Sequence, residues 1–287
     1  AALAQAALEA RARGERVLVV CADPADVPRL AQEMPWFEPN LDVRPLPDWE
    51  TLPYDVLSPQ EELVSERLEA LYRLTAPTGG ADVLLTSAVT ASQRLSPVSY
   101  IGANTFFFHQ GEQISLTTLQ KRLAAAGYAN VKQVLAAGEF AVRGSIVDVF
   151  PMGSERPFRL DFFDDEIESI RWFDVDTQRS MESAKEIRLL PGHEFPVDPE
   201  ALLAFRQRWR REFAGDPKKS IVYCDIEKEI LPPGIEYYLP LFFDETAALT
   251  DYLPPNARVF LLGDIEAALQ AFGRDMASRY KVLAADP

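Results

Sequence analysis

The sequence predicts an α/β fold for its first hundred residues and an α+β fold for the region that follows. In the first part, the apolar runs RVLVVCADP and ADVLLTSAVTASQ are separated by helical segments. Strands that are hydrophobic on both faces indicate a parallel sheet covered by helices on both sides. From about Thr105, short strands follow one another without helices between them. A chain of 287 residues is long enough for two or three domains.

The first part alternates helix and strand. Its predicted elements are a helix over 2–13 ended by Gly14, the strand in RVLVVCADP, a helix near 25–34, a strand around Val43, a helix after SPQE, and a strand and short helix in ADVLLTSAVTASQ. In SPQE, Ser58 is predicted to cap the helix, with Pro59 at its first position and Glu61 completing a capping box.

The helix after SPQE has one apolar side. Its members are Val64, Leu68, Leu71 and Thr75, with Leu63 and Leu74 beside them. Pro77 and the pair Gly79-Gly80 are predicted to end this helix.

The middle region is rich in strands. Its predicted elements are an aromatic strand in TFFFHQGEQIS with a turn at Gly111, a helix in LTTLQKRLAAAGY ended by Gly127, and strands near 131–135, 139–150, 157–163 and 166–173. The string RLDFFDDEIE is predicted to be a hairpin turned at Asp164-Asp165.

The last region is predicted to contain two helices and one strand. They are a helix in ALLAFRQRWRREFA, the strand ARVFLLGD and a helix over about 265–279, with a loop at GDPKKS and a proline-rich track LPPGIEYYLPLFFDE. We therefore predict a first α/β lobe over 1–104, an inserted α+β domain over 105–191 and a second lobe over 192–287.

Composition excludes several classes of protein. The formal charge is −15, with 44 acidic against 29 basic residues, which is unfavourable for general nucleic-acid binding. No apolar run approaches the roughly 18 residues of a membrane span, and the first residues lack the pattern of a signal peptide, so we expect a cytoplasmic protein without a membrane partner. Cys21 and Cys224 lie in strand-like runs and are expected to be buried, reduced thiols.

The sequence lacks the residue patterns of common catalytic and cofactor sites. No glycine is followed by lysine, so the phosphate loop of a nucleotide-binding domain is missing. His109 and His193 have no nearby cysteine or histidine that would complete a zinc site. We expect no catalytic residue, no cofactor and no metal in this chain.

Four blocks of the sequence resemble the N-terminal part of the bacterial transcription-repair coupling factor family, Mfd. They are DWETLPYDVLSPQEELVSERLEALYRL (48–74), GEFAVRGSIVDVFPMGSERPFRLDFFDDEIESIRWFD (138–174), LLPGHEFP (189–196) and LPPGIEYYLPLFF (231–243). The resemblance implies two lobes of a degenerate helicase-like, UvrB-like α/β module with an inserted α+β middle domain. It also places the family's phosphate-loop position before the first residue of this chain.

The resemblance implies that the middle domain binds UvrA. The family's contact positions match Arg143, Arg159 and Phe163. The arginines would make forked hydrogen bonds to acidic or carbonyl groups, and Phe163 would fill an apolar pocket. Alternation along PFRLDFF agrees, with Phe158, Leu160 and Phe162 on the core face. Arg143 is expected on a neighbouring strand.

Other readings of these residues are open. Arg159 could pair with Asp161 or Asp165 as a surface salt bridge, and Phe163 could cover a sheet edge. The prolines around Trp49 and Tyr54 are interpreted as a rigid extended segment that packs both aromatic side chains along the lobe. The alternative is that Trp49 stacks on a nucleic-acid base.

For the chain as a whole, the resemblance implies a non-catalytic module that binds UvrA and recruits excision repair to stalled RNA polymerase. The alternative is a lobe that binds duplex DNA beside the motor, and a third reading is a residual ATPase. RNA polymerase, DNA, ATP and Mg²⁺ would bind C-terminal domains that this chain lacks. One such domain would cover the UvrA-binding face in the resting protein.

Overall fold

A computed structural model describes residues 1–75 and 80–285, with side chains described through residue 282. In these residues the α-helices are α1 (Ala2–Ala12), α2 (Asp26–Phe37), α3 (Glu61–Thr75), α4 (Ala88–Ser92), α5 (Val98–Ala103), α6 (Leu116–Ala125), α7 (Pro199–Glu212), α8 (Ile221–Glu227) and α9 (Ile265–Ala285). Short 3-10 helices lie at Pro217–Lys219, Ile235–Leu241 and Leu249–Tyr252.

The strands of the described residues form three sheets. They are β1 (Val17–Cys21), β2 (Val43–Pro45), β3 (Val83–Ser87), β4 (Phe106–His109), β5 (Ala129–Asn130), β6 (Glu139–Arg143), β7 (Ile146–Val149), β8 (Phe158–Phe163), β9 (Glu166–Phe173), β10 (Ser180–Ala184), β11 (Glu186–Leu189) and β12 (Arg258–Leu262). The orders are β12-β1-β3-β2, β10-β9-β8-β7-β6-β5 and β11-β4.

The chain divides into two compact units. The first comprises Ala1–Pro59, Ala70–Val98 and Glu245–Pro287, and the second comprises Gln60–Glu69 and Ser99–Asp244. This division differs from the three ranges expected from the sequence, because 192–244 and 245–287 fall in different units. The physical reason is strand pairing, since β12 adds to the edge of β1 over a very long sequence separation.

The first unit contains the parallel sheet that the sequence predicts. All of its strand pairs are parallel, and every residue of β1 and β3 is buried. On one face, Ala4, Ala7 and Ala10 of α1 and the apolar side of α2 pack on β1 and β3. The α/β prediction is therefore confirmed, together with the buried position of Cys21.

The proline-rich segment before α3 forms no hairpin. Trp49 is only 4% exposed, so the base-stacking role considered for it is wrong. Tyr54 is about half exposed and its ring lies 5.9 Å from that of Tyr280 on α9. Asp55 accepts a hydrogen bond from Arg279 Nη1 at 2.7 Å, so this segment is tied to α9 within the first unit.

Helix α3 carries the predicted apolar side. Val64, Leu68, Leu71 and Leu74 are buried. The helix begins at Glu61, two residues after the predicted start, and the amide of Val64 donates to the carbonyl of Gln60. The predicted stop at Pro77 and Gly79 lies outside the described residues.

In the second unit, the six-stranded sheet is antiparallel except for the pair β5-β6. The predicted strand over 139–150 is two strands joined by a turn at Gly144-Ser145. The predicted strand at 131–135 is wrong, because only Ala129–Asn130 pairs with β6. Beyond it, the Glu139 carboxylate accepts from the amides of Leu135 and Ala136, which holds this stretch in a loop.

Residues 192–244 build an aromatic cluster around α7 and α8. Phe195, Phe205, Trp209 and Tyr223 are among its buried members. Cys224 lies in helix α8 and is half buried, so its expected place in a buried strand is wrong. The Ser220 side chain accepts a hydrogen bond from the Tyr223 amide, and this helix cap outweighs the β-branched character of the run.

Candidate protein-binding surface

The side chains of strand β8 alternate between the two faces of the sheet. Leu160 and Phe162 are buried, as the alternation predicts, and Phe158 is half buried. The strand ends at Phe163, which is 68% exposed. The hairpin that follows turns at Asp164-Asp165, and Asp164 has a positive φ of 51°. A large aromatic side chain therefore stands in solvent next to a hairpin tip.

A register shift in the β8-β9 pair does not disturb this arrangement. Asp161 pairs with Ser169 and Phe162 pairs with Ile167, so the extra residue is Glu168 on β9. Because the bulge lies in β9, the side chains of β8 keep their alternation. Phe163 consequently lies on the same face as Arg159.

Asp148 on β7 forms ion pairs with both arginines of that face. It lies opposite Arg159 on β8, and its side chain is only 2% exposed. Its carboxylate accepts hydrogen bonds from Arg159 Nε at 2.6 Å, from Arg159 Nη2 at 3.0 Å and from Arg143 Nη2 at 2.5 Å. A buried carboxylate needs such donors, because an unpaired buried charge is very costly. We call Arg143, Asp148 and Arg159 the Asp148 cluster.

Arg159 is held on every side by its own unit. Its Nη1 donates to the carbonyl of Gln178 at 3.1 Å and to Ser180 Oγ at 3.2 Å. Its Cζ lies 4.9 Å from the ring centroid of Phe173. The hydrogen bond to Asp148 raises the pKa of Arg159, which keeps the guanidinium charged. The side chain is only 12% exposed.

These contacts correct two expectations for Arg159. Its ion-pair partner is the buried Asp148, whereas the surface-bridge reading named Asp161 or Asp165. Its forked Nε and Nη2 donors are already engaged by Asp148, so they do not point as a fork toward an outside acceptor. The Arg159 side chain can therefore position Asp148 and, through it, Arg143.

Arg143 is more accessible. Its side chain is 52% exposed, and in the described part of the chain its one ion pair is with Asp148. It lies at the end of β6, with β7 between it and β8, so it is one strand farther from Phe163 than expected. Strands lie about 4.8 Å apart, which puts Arg143 roughly 10 Å across the sheet from β8. Arg143 and Phe163 can therefore touch one partner surface.

Sequence reasoning missed Asp148. A signal was present, since Asp148 is the single charged residue within the apolar run SIVDVF. A charge in a buried strand requires a partner of opposite charge, and the two arginines of the same face supply it. Across residues 1–75 and 80–285, no group of three or more His, Cys, Asp or Glu is placed to hold a metal ion. No helix in the same ranges is long and apolar enough to cross a bilayer.

Comparison with known proteins places this surface in a described domain. Residues 106–195 match the UvrB interaction domain family, and this range includes the whole Asp148 cluster and Phe163. The match is close to the middle region, 105–191, that the sequence predicts.

Relatives extend the similarity to nearly the whole chain. The transcription-repair-coupling factor of Escherichia coli K12 is 42% identical over 272 residues, covering 94% of this chain and 23% of that protein. That of Haemophilus influenzae is 43% identical over 273 residues, with the same coverage. That of Bacillus subtilis is 32% identical over 216 residues, covering 70% of this chain and 18% of that protein. The chain thus spans less than a quarter of the length of these relatives. It belongs to the transcription-repair-coupling factor family, as a UvrB-like segment that contains the UvrB interaction domain.

Proposed function

We propose that this chain is a non-catalytic recruitment module that binds UvrA through the face carrying Arg143, Arg159 and Phe163. In the whole protein, this contact would bring nucleotide excision repair to RNA polymerase stalled at DNA damage. The observation that carries the proposal is the exposure of Phe163, 68%, on the same sheet face as the Asp148 cluster. Aromatic and arginine side chains dominate the centres of protein interfaces.

The three residues have different roles in this proposal. Phe163 enters an apolar pocket of UvrA, and Arg143 donates to an acidic or carbonyl group there. Arg159 acts through Asp148: it shares this carboxylate with Arg143 and so limits the positions that Arg143 can take. Because Arg143 is partly held before binding, it loses less conformational entropy when the complex forms.

The test is a titration of UvrA with this chain and its single variants. Phe163→Ala and Arg143→Ala should each weaken binding by roughly 1–3 kcal/mol, as loss of a central anchor does. Arg159→Ala should weaken it through the altered position of Arg143. Phe107→Ala is the matched control, since Phe107 is a 48% exposed phenylalanine of the same unit on the separate β11-β4 sheet.

Circular dichroism and thermal unfolding would show that each variant is folded. Wild-type affinity in both Phe163→Ala and Arg143→Ala would overturn the assignment of this face. An equal loss in Phe107→Ala would show that the site is elsewhere on the second unit.

A further inference from the structure

A basic segment stands out in this acidic chain. Between residues 206 and 219 there are six lysines and arginines against two acidic residues. They lie on the C-terminal half of α7 and on the 3-10 helix Pro217–Lys219. Arg210 and Arg211 occupy the last turn of α7, where cations are favoured by the helix dipole. The helix dipole accounts for these two arginines, but not for the buried polar groups of Arg206 and Tyr223 described below.

An open pocket of about 410 Å³ lies within this segment. Its lining residues are Arg210, Gly215, Asp216, Pro217, Lys218 and Tyr223. The guanidinium carbon of Arg210 lies 5.5 Å from the centroid of the Tyr223 ring. The single acidic residue of the lining, Asp216, already accepts a hydrogen bond from the Lys218 amide at 3.0 Å. The pocket wall is therefore dominated by cationic and donor groups.

In the part of the chain that the structure describes, one buried polar group of the pocket lining and one on the preceding turn of α7 make no hydrogen bond. The Tyr223 hydroxyl is fully buried and makes no hydrogen bond within the described structure, and the same holds for Arg206 Nε. Arg206 lies one turn before Arg210 on α7. Leaving a buried donor unpaired costs about 1–3 kcal/mol, and such groups commonly await a water or an ion. Arg206 Nε can only donate and the Tyr223 hydroxyl can donate as well as accept, so an acceptor would satisfy both groups.

The charges nearby also favour an anion. Lys218 Nζ hydrogen bonds Glu227, and this bond, with the charges of Arg206 and Arg210, lowers the pKa of Glu227. Glu227 and the lining residue Asp216 thus supply two negative charges, against three positive charges on Arg206, Arg210 and Lys218. In the part of the chain that the structure describes, Arg206 and Arg210 form no ion pair of their own. A net positive charge remains for a ligand to neutralise.

We propose that the pocket between α7 and α8 binds a phosphate group, with Arg210 and Lys218 supplying charge and Tyr223 a hydrogen bond. Arg206, on the preceding turn of α7, adds to the positive field. Phosphate offers several acceptor oxygens in a compact anion, which suits a lining that contains guanidinium, ammonium and hydroxyl groups. The group can belong to free phosphate or to a nucleic-acid backbone. This site is separate from the face proposed to bind UvrA, and it does not depend on that contact.

The test uses NMR of the ¹⁵N-labelled chain titrated with inorganic phosphate. Saturable shifts are expected at the amides of Gly215, Asp216 and Lys218. Arg210→Gln and Tyr223→Phe should each raise the phosphate Kd at least five-fold. The control is Arg274→Gln, which removes one exposed positive charge from a different helix, α9.

Tyr223→Phe is a sharp variant because the hydroxyl it removes makes no hydrogen bond in the described structure. Its thermal midpoint without phosphate should be unchanged or slightly higher, while its phosphate affinity should be weakened at least five-fold. Absence of phosphate-dependent shifts at these amides would overturn the proposal. So would an equal weakening by Arg274→Gln, which would indicate diffuse charge attraction.

A second arm separates the two sources of the phosphate group. Fluorescence anisotropy at low salt measures the affinity of each variant for a short duplex DNA. If Arg210→Gln weakens duplex binding several-fold more than Arg274→Gln does, the pocket takes a backbone phosphate. If both variants bind duplex equally while phosphate binding is lost in Arg210→Gln, the pocket takes free phosphate.

Discussion

Two arginine-carboxylate contacts in the second unit use the same chemistry in different surroundings. Arg67 and Glu194 are both buried, with side chains 0% and 3% exposed, and Arg67 Nε donates to Glu194 Oε1 at 2.5 Å. In the Asp148 cluster the carboxylate is equally buried, but Arg143 is 52% exposed. The first contact is closed to outside molecules, whereas the second ends at the surface. The two contacts therefore differ in the exposure of one member, and the face proposed to bind a partner is the one that carries the exposed arginine.

The largest expected effect is in the closed pair. Arg67→Ala leaves the Glu194 carboxylate buried without this cation, so we expect the free energy of unfolding to fall by about 3–5 kcal/mol. Denaturant unfolding measures this loss. The double variant Arg67→Met with Glu194→Leu should recover most of it, because the pair is then replaced by apolar groups. A loss below 1 kcal/mol for Arg67→Ala would show that the pair does not have this structural role.

A smaller loss is expected in the open cluster. Asp148→Asn keeps the shape of the side chain and removes the charge that both arginines share. We expect about 1.5–3 kcal/mol of destabilisation, because the charged hydrogen bonds are weakened. The loss is limited because the exposed Arg143 guanidinium can be hydrated by water instead. The same denaturation experiment measures it. If Asp148→Asn destabilises the protein more than Arg67→Ala, the proposed difference between the two contacts is wrong.

The free energy of unfolding should also depend on pH in the region of the closed pair, because His193 directly precedes Glu194 in the sequence. The His193 ring stacks on Phe195 at 5.3 Å, and burial lowers the pKa of His193 to about 4. Since the unfolded chain takes up the proton near pH 6.5, stability is complete above that pH and falls as the pH drops toward 4. Between pH 7 and pH 5, we expect a loss of about 2 kcal/mol.

The matched control for the pH effect is His193→Gln, which removes the titrating group. Denaturant unfolding at pH 7 and pH 5 should show the extra loss in the wild type and not in this variant. Equal pH dependence of the two proteins would contradict the assignment to His193.

Local patterns predicted most of the elements because their causes are local. The apolar runs of β1 and β3 indicated buried parallel strands, and Gly127, with φ of +89°, follows α6 as expected. Alternation placed Leu160 and Phe162 in the core. The prediction for Cys224 was wrong because an apolar, β-branched run fits either a strand or a helix. There the hydrogen bond from the Tyr223 amide to Ser220 selected the helix.

The candidate surface was predicted only in part. The sequence and its family resemblance pointed to Arg143, Arg159 and Phe163, and the structure puts them on one face, with Phe163 in solvent. The sequence alone did not show that Arg159 is held by Asp148, because that contact depends on the register of β7 against β8. The UvrA contact itself stays a prediction.

By itself, the sequence determined the parallel α/β character of the first lobe, the strand-rich middle region and the core face of β8. Each of these follows from periodicity, turn chemistry or residue type within a short stretch. Only the tertiary structure decided that β12 joins the first sheet, that Asp148 binds two arginines, and that the Tyr223 hydroxyl, at a basic pocket, makes no hydrogen bond within the described residues. Those facts depend on which distant residues are brought together, and pairing between strands and packing between helices are set by the whole fold.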